Sequence, residues 1–247
     1  MTRLYCPKEV VSGSEILIND RKQVHYLCNV LRLKLNDDVF AFDGQGNEYR
    51  CKVQELSKKI VRLLIKEELK IKPQSKSYLA VACSLPKQKS TFDDLVDKLS
   101  QLGVDKIIPM ITERVIVRWN SDQKQRHHQR WYKIAKQACA QSGRNTLPII
   151  EPIKEIGQIL AYGKSFDLKL IPTLIQRKQN LGDIISDSLP KSILVLIGPE
   201  GDFTDQELTQ AREAGFTSVF LGDLVLRVDT AAIAVAAFFK LYERTYS

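Results

Sequence analysis

Apolar residues crowd three short stretches early in the chain, 38–43, 47–56 and 60–65, each rich in Val, Phe, Tyr, Ile or Leu. Between them stand Asp43, Gly44, Gln45 and Gly46, then Ser57, Lys58 and Lys59, residues that suit tight hairpin turns. A short helix around residues 20–32 precedes them. Short antiparallel strands with short turns predict a small β-barrel over residues 1–70. Residues 71–77 are polar, carry one Pro and show no apolar pattern, and read as a linker.

From Tyr78 the pattern changes, and residues 78–247 read as a second domain. Residues 78–85 form an apolar run of strand length, followed by Phe92, Leu95, Val96, Leu99 and Leu102 at helical spacing. Thr91, with Asp94 three residues on, predicts the start of that helix, and Gly103 its end. Residues 106–111 read as the next strand, although Pro109 argues against a strand interior. A long helix follows over 121–142, then strands at 167–171, 192–197 and 217–221 with helices between. Alternation of this kind predicts an α/β fold: a mostly parallel sheet with helices on both faces.

Charge adds a candidate partner. The chain has 247 residues, 37 Lys and Arg against 29 Asp and Glu, and a net charge of +8. Residues 1–77 hold 15 basic and 10 acidic residues, and residues 112–147 hold 8 and 2. Two basic patches suit a polyanion, most simply nucleic acid; a solvated basic face is the plainer alternative. The five cysteines are spread out with no CxxC pair, and the histidines are only His25, His127 and His128. That argues against a metal site or a disulfide framework and for reduced thiols in the cytoplasm. His127 and His128 read as exposed helix residues. No apolar run reaches membrane-spanning length, and the first residues lack a secretory h-region.

The densest chemistry lies in residues 193–232. A buried strand runs into Gly198, Pro199, Glu200 and Gly201; Thr204 and Glu207 form a capping box; Gly215 ends the helix; and a strand returns to Gly222. Ligands on such sheets bind at the carboxyl ends of strands, where glycine admits a ligand close to the backbone. Taken alone, 198–201 reads more readily as a plain strand-to-helix turn than as a ligand loop. The second glycine turn, with Arg227, Asp229 and Thr230 ahead of an apolar helix, shifts that balance. Neither a GxGxxG fingerprint nor a P-loop is present.

These residues resemble the C-terminal motifs of the knotted SPOUT-class methyltransferases, and within them the RsmE-type family, which methylates N3 of a uridine in 16S ribosomal RNA. The likeness extends to Arg3 and Tyr5, to Val30, Leu31 and Arg32, and to residues 98–104, with Gln101 where the family carries an acid. It continues through Glu113 and Arg114, residues 133–145, Gly198 to Gly201, and Leu221, Gly222, Leu226 and Arg227. At the last motif Asp229 stands where the family usually has Glu. The resemblance implies a trefoil-knotted parallel sheet, an N-terminal PUA-like barrel that grips RNA, a homodimer, and S-adenosylmethionine as cofactor without a metal. It implies a pocket of three loops: Ile171, Pro172, Thr173 and Leu174; Ile197, Gly198, Pro199, Glu200 and Gly201; Leu221, Gly222, Leu224, Leu226 and Arg227. Arg227 is the candidate for holding the uridine anion, and Asp229 for base or orienting acid, with a helix cap as its alternative. Glu200 is a further candidate, weakened by its expected place at a helix start. By motif and charge, Arg3, Arg32, Arg114, Lys133 and Arg144 are expected to contact 16S rRNA or the assembled small subunit. The competing readings are an RNA-binding assembly protein with a vestigial pocket, and a nicotinamide-dependent oxidoreductase using Asp223.

Overall fold

A computed structural model describes residues 2–70, 77–117, 119–173, 179–185 and 190–245. The chain divides into two compact units: residues 1–74 with 136–147, and residues 75–135 with 148–247. The segment 136–147 thus joins the first unit from far along the sequence.

The first unit is built on a six-stranded sheet. Its strands are β1 (Thr2–Tyr5), β2 (Val11–Ser12), β3 (Glu15–Ile18), β4 (Asp38–Phe42), β5 (Asn47–Leu56) and β6 (Val61–Lys70). They are ordered β1-β4-β5-β6-β3-β2. β1 pairs with β4 in parallel, and the other pairs are antiparallel. Both expected hairpins form, and register shifts at Arg50/Cys51 and Val53/Glu55 bend the long β5–β6 ribbon. Alternate residues of the strands, among them Ile16, Val39, Ala41, Cys51, Val53, Val61 and Leu63, close a buried core. The helix expected near 20–32 is shorter and less regular. α1 (Arg21–His25) is capped by Asp20, whose side chain accepts from the Gln23 N–H, and runs into one π-helical turn, Tyr26–Val30. Arg32 then takes a left-handed φ of 52°.

Arg3 does not reach outward from this unit. Its Nε donates to Glu48 Oε1 at 2.6 Å and its Nη1 to the carbonyls of Cys139 and Arg144 at 2.9 and 2.8 Å. Its guanidinium also lies over the Phe42 ring. Arg144 is 5% exposed and donates from Nε to Thr146 Oγ1. Both were expected to contact RNA; both are instead ties between the sheet and residues 136–147. Asn145, which donates from Nδ2 to the Gly46 carbonyl, belongs to the same set.

The second unit holds the parallel sheet. Its strands are β7 (Tyr78–Ser84), β8 (Lys106–Ile111), β9 (Ile149–Ile150), β10 (Lys154–Glu155), β11 (Leu168–Pro172), β12 (Gln179–Asn180), β13 (Ser192–Ile197) and β14 (Thr217–Phe220). The order is β10-β8-β7-β13-β11-β14-β12, with β9 also on β8. Every pairing among its described residues is parallel. Pro109 is accommodated because Met110 O faces β7, where it accepts from Leu85 N. Alternation turns Pro109 to the opposite side, where β9 pairs only as far as Ile107 and β10 begins at Met110.

The helices of this unit are α2 (Lys89–Leu102), most of α3 (Ser121–Ser142), α4 (Ile156–Tyr162), α5 (Asp205–Glu213) and α6 (Val228–Thr245). α2, α3 and α6 cover the sheet face that carries Leu79, Val81 and Cys83, whereas α4 and α5 cover the face of Ala80 and Ala82. Strands buried on both faces need continuous apolar runs, which is why residues 78–85 and 192–197 read so strongly. On α2 the expected Phe92, Leu95, Val96 and Leu99 are all buried, each full burial contributing about 2 kcal/mol. Gly103 ends the helix at φ 92°. The start differs from expectation: extended Gln88 is the N-cap, without a side-chain cap bond, so Thr91 lies inside the first turn. His127 and His128 are half-buried rather than exposed. His127 stacks on Trp119 at 3.9 Å, and the His128 Nε2 lies 2.8 Å from the Ile150 carbonyl oxygen.

Candidate functional site

Three adjacent strands, β13, β11 and β14, end at the same edge of the parallel sheet. The turns that leave them enclose a cleft of about 580 Å³ of free space, its open mouth included. Pro172 and Thr173 form one wall, residues 197–200 with Asp202 a second, and residues 220–222 with Leu224, Val225 and Leu226 a third. Val228 and Ala231 of α6 close the floor.

Local chemistry fixes each wall. Ile197 finishes a fully buried strand, and Gly198 passes so close to Phe203 that a Cβ there would stand 2.8 Å from its ring. Pro199 O accepts from Asp202 N, and Asp202 adopts a left-handed φ of 60°. Its carboxylate is engaged on both oxygens, Oδ2 accepting from Thr173 Oγ1 at 3.0 Å and Oδ1 from Phe203 N at 2.8 Å. The first and second walls are therefore tied together. Thr204 caps α5 as expected: Glu207 N donates to its Oγ1, while Thr204 N donates to Glu207 Oε2 at 2.8 Å. Gly222 has a φ of 119°, and a Cβ there would meet nothing within 4 Å.

Glu113 and Arg114, after β8, hold the second wall from outside. Arg114 Nη1 donates to the Gly201 carbonyl, and at 3.3 and 3.5 Å to those of Phe203 and Asp202. Glu113 N donates to Glu207 Oε1, and Glu113 Oε2 accepts from Thr204 Oγ1. Arg114, expected from the sequence to contact RNA, is exposed and clamps this loop through one guanidinium nitrogen.

Of the expected pocket residues, Pro172, Thr173, Ile197, Gly198, Pro199, Glu200, Leu221, Gly222, Leu224 and Leu226 line the cleft. Ile171 does not; it points into the core at 1% exposure. Gly201 lies behind the wall against Arg114, and Arg227 is exposed just beyond Leu226. Leu174 lies outside the described residues. Asp202, Phe220, Val225, Val228 and Ala231 were not anticipated. A lone Asp after Gly gives no sequence sign of a left-handed turn, although the i to i+3 spacing from Pro199 is that of a β-turn.

The expected carboxylates change places. α6 begins at Val228, so Asp229 and Thr230 lie inside the helix rather than ahead of it; Asp229 sits in the first turn, with Oδ1 accepting from Thr230 N. Conversely, α5 begins at Asp205, so Glu200 lies in the turn ahead of the N-cap and outside the helix start. Glu200 lines the cleft, is exposed, and has no hydrogen-bond or ion-pair partner among the described residues. Lys133 is exposed on α3. The described residues contain no group of three or more His, Cys, Asp or Glu able to hold a metal ion, and no helix long and apolar enough to cross a membrane.

A parallel sheet with glycine turns and a cleft at its carboxyl edge is the architecture of an α/β protein that binds a ligand at its strand ends. Residues 73–240 match the family model described as an RNA methyltransferase domain, and residues 18–66 that of the RNA methyltransferase PUA domain. The ribosomal RNA small subunit methyltransferase E of Rickettsia conorii is 35% identical over 97% of this chain and 95% of its own. The Bacillus subtilis protein of the same name is 30% identical over 86% of this chain and 84% of its own. A crystal structure of the Neisseria gonorrhoeae ribosomal RNA small subunit methyltransferase E, bound to S-adenosylmethionine, superposes with a TM-score of 0.87 at 34% identity, covering 98% of each chain. The chain belongs to this family of ribosomal RNA methyltransferases. The oxidoreductase reading falls with that result.

Proposed function

We propose that the chain transfers a methyl group from S-adenosylmethionine to N3 of a uridine in 16S ribosomal RNA of the small subunit. The observation that carries this reading is the cleft formed by the turns after β11, β13 and β14. Its lining is mostly apolar, and its walls are backbone turns. The open space beside Gly222 fits a ligand laid against the main chain. Thr173, Gly198, Leu221, Gly222 and Leu226 would hold the cofactor, which supplies an already activated methyl group.

The protein's own part is to align the uridine, accept its imide proton and hold the resulting anion. Glu200, the unpartnered carboxylate of the cleft wall, takes the proton. Arg227, exposed at the cleft rim, holds the developing negative charge on the uracil carbonyl oxygen. Asp229 orders the first turn of α6 behind Arg227. The exposed Leu224 and Val225, at 78% and 72%, supply an apolar face for a homodimer, and the trefoil knot implied by the resemblance belongs to the same reading.

Hydrogen exchange with and without S-adenosylmethionine tests the site. Added cofactor should slow exchange at residues 172–173, 197–202 and 220–226 and leave residues 15–56 unchanged. Single-turnover transfer to small-subunit particles tests the roles. Glu200→Gln should lose about 100-fold and Asp229→Asn much less, with cofactor binding intact in both. A normal rate for Glu200→Gln would return the proton to Asp229 or to water, and protection elsewhere on the chain would remove the cleft as the cofactor site.

A further inference from the structure

The cleft is unevenly charged. Its lining among the described residues includes two acids, Glu200 and Asp202, and no Lys or Arg. Arg114 reaches the 198–203 turn from behind, through backbone carbonyls, and Arg227 stands exposed just past Leu226. Further acids lie behind the same wall, where Glu207 Oε1 accepts from Glu113 N and Glu113 Oε2 accepts from Thr204 Oγ1. The second wall therefore presents negative charge to a ligand in the cleft.

Of the two acids, Asp202 is the one held in place. It is half-buried, whereas Glu200 is exposed. Its φ of 60° is a conformation that Asp and Asn tolerate better than other residues with a Cβ. Oδ2 accepts from Thr173 Oγ1 and Oδ1 from Phe203 N, so the carboxylate is fixed between the turns after β11 and β13. Glycine would serve a left-handed turn without strain. At this turn a carboxylate stands on the cleft wall instead. A charge already fixed in position acts on a ligand without the cost of reorganising.

Methyl transfer changes the charge of the cofactor. The methyl–sulfur bond breaks with its electron pair left on sulfur as the bond to the uridine N3 forms, and the imide proton passes to the base. A sulfonium cation thereby becomes a neutral thioether. Resting on the RNA methyltransferase reading, we propose that Asp202 is a specificity-determining residue. Its fixed carboxylate makes the cleft favour the cationic S-adenosylmethionine over the neutral product, S-adenosylhomocysteine. The product then loses affinity in the step that forms it. Direct contact is not required, since attraction between charges away from bulk water falls only slowly with distance.

Titration calorimetry of the full chain reads this directly. The ligands are S-adenosylmethionine, S-adenosylhomocysteine and sinefungin, an analogue whose amine restores a positive charge where the sulfonium stood. The parent should bind the two cations about tenfold tighter than the neutral product. Asp202→Asn removes the charge and keeps the shape: Asn tolerates the left-handed backbone, its Oδ1 can accept from Phe203 N, and its Nδ2 can donate to Thr173 Oγ1. It should lose most of the preference, with both cations weakened and the neutral product nearly unchanged. Asp202→Gly relaxes the backbone but drops the tie to Thr173, so it should weaken all three ligands and lose the preference as well. The ratio of affinities can be read from either variant, whichever folds, with the melting temperature as the control. Equal affinity of the parent for cationic and neutral ligands, or an unchanged ratio in a folded variant, would overturn the proposal and leave the methyltransferase reading intact. Weakening of all three ligands alike by Asp202→Asn would also overturn it, leaving Asp202 a structural tie only. Failure of the parent to bind any of the three would remove the methyltransferase reading, and this proposal with it.

Discussion

Arg114 shows how a single side chain can govern a site it does not line. One guanidinium nitrogen reaches the carbonyls of Gly201, Asp202 and Phe203, so the second wall of the cleft is held from behind. Charge-assisted hydrogen bonds of this kind contribute about 1.5–3 kcal/mol. Arg114→Ala should therefore weaken cofactor binding about tenfold and lower the melting temperature by a few degrees, with Arg114→Lys intermediate in both. Titration calorimetry with S-adenosylmethionine checks it, and unchanged affinity would reduce Arg114 to surface decoration. A second residue-scale expectation concerns acid. Lys106 Nζ donates to Glu151 Oε1 at 2.8 Å, and that hydrogen bond, ahead of the opposing effect of burial, lowers the Glu151 pKa. A carboxylate held below its unfolded pKa stabilises the fold at higher pH, and that contribution is lost as pH falls through the folded value. Glu151→Gln should accordingly lose less stability than the parent between neutral pH and about pH 3, read from denaturant midpoints at each pH.

At the scale of the element, the capping box at α5 is the clearest case of sequence becoming structure. Thr204→Ala should cost about 1 kcal/mol and lower the melting temperature by a few degrees. The loss should speed hydrogen exchange at the first turn of α5 and in the clamped loop before it, since Thr204 Oγ1 also donates to Glu113. Elements with strong periodicity were legible in the same way: the buried strands, α2 with Gly103, and the strand-end glycines at 198 and 222. The start of α2 was not, because Gln88 caps by backbone conformation alone and leaves no side-chain signal. Nor were the true roles of Arg3 and Arg144, since a cation reads the same whether it meets a phosphate or Glu48 and a carbonyl across the fold. The cleft's three turns could be named from the sequence, whereas the contribution of Ala231 and Val228 depends on where α6 crosses the strand ends.

For the molecule as a whole, burial decides the chemistry of the thiols. Burial pushes Cys6 and Cys51 up to about 12 and Cys139 to about 11, and Cys83 is raised further by the same cause. These four are buried, and Cys28 alone is partly exposed. Native protein should thus titrate with a disulfide reagent as one fast thiol, and denatured protein as five. Slow labelling of the other four then reports opening of the fold, the sites in the two units reporting separately. Two fast thiols in the native state would show that one of the units opens readily.

The order of strands in the parallel sheet also sets a timetable. β7 pairs directly with β13, strands separated by roughly a hundred residues of chain, and β11 sits between β13 and the still later β14. During synthesis, at about 5–20 residues per second, β7 and β8 emerge many seconds before the partner that completes their sheet. The six-stranded sheet of the first unit has every strand in hand by Lys70, whereas Arg3 waits for residues 139–144 to take up its hydrogen bonds. The cleft, lined by residues between 172 and 231, comes together only after every strand of the first sheet has been made. A nascent chain stalled before β14 would therefore carry a finished first sheet and only two of the three turns that enclose the cleft.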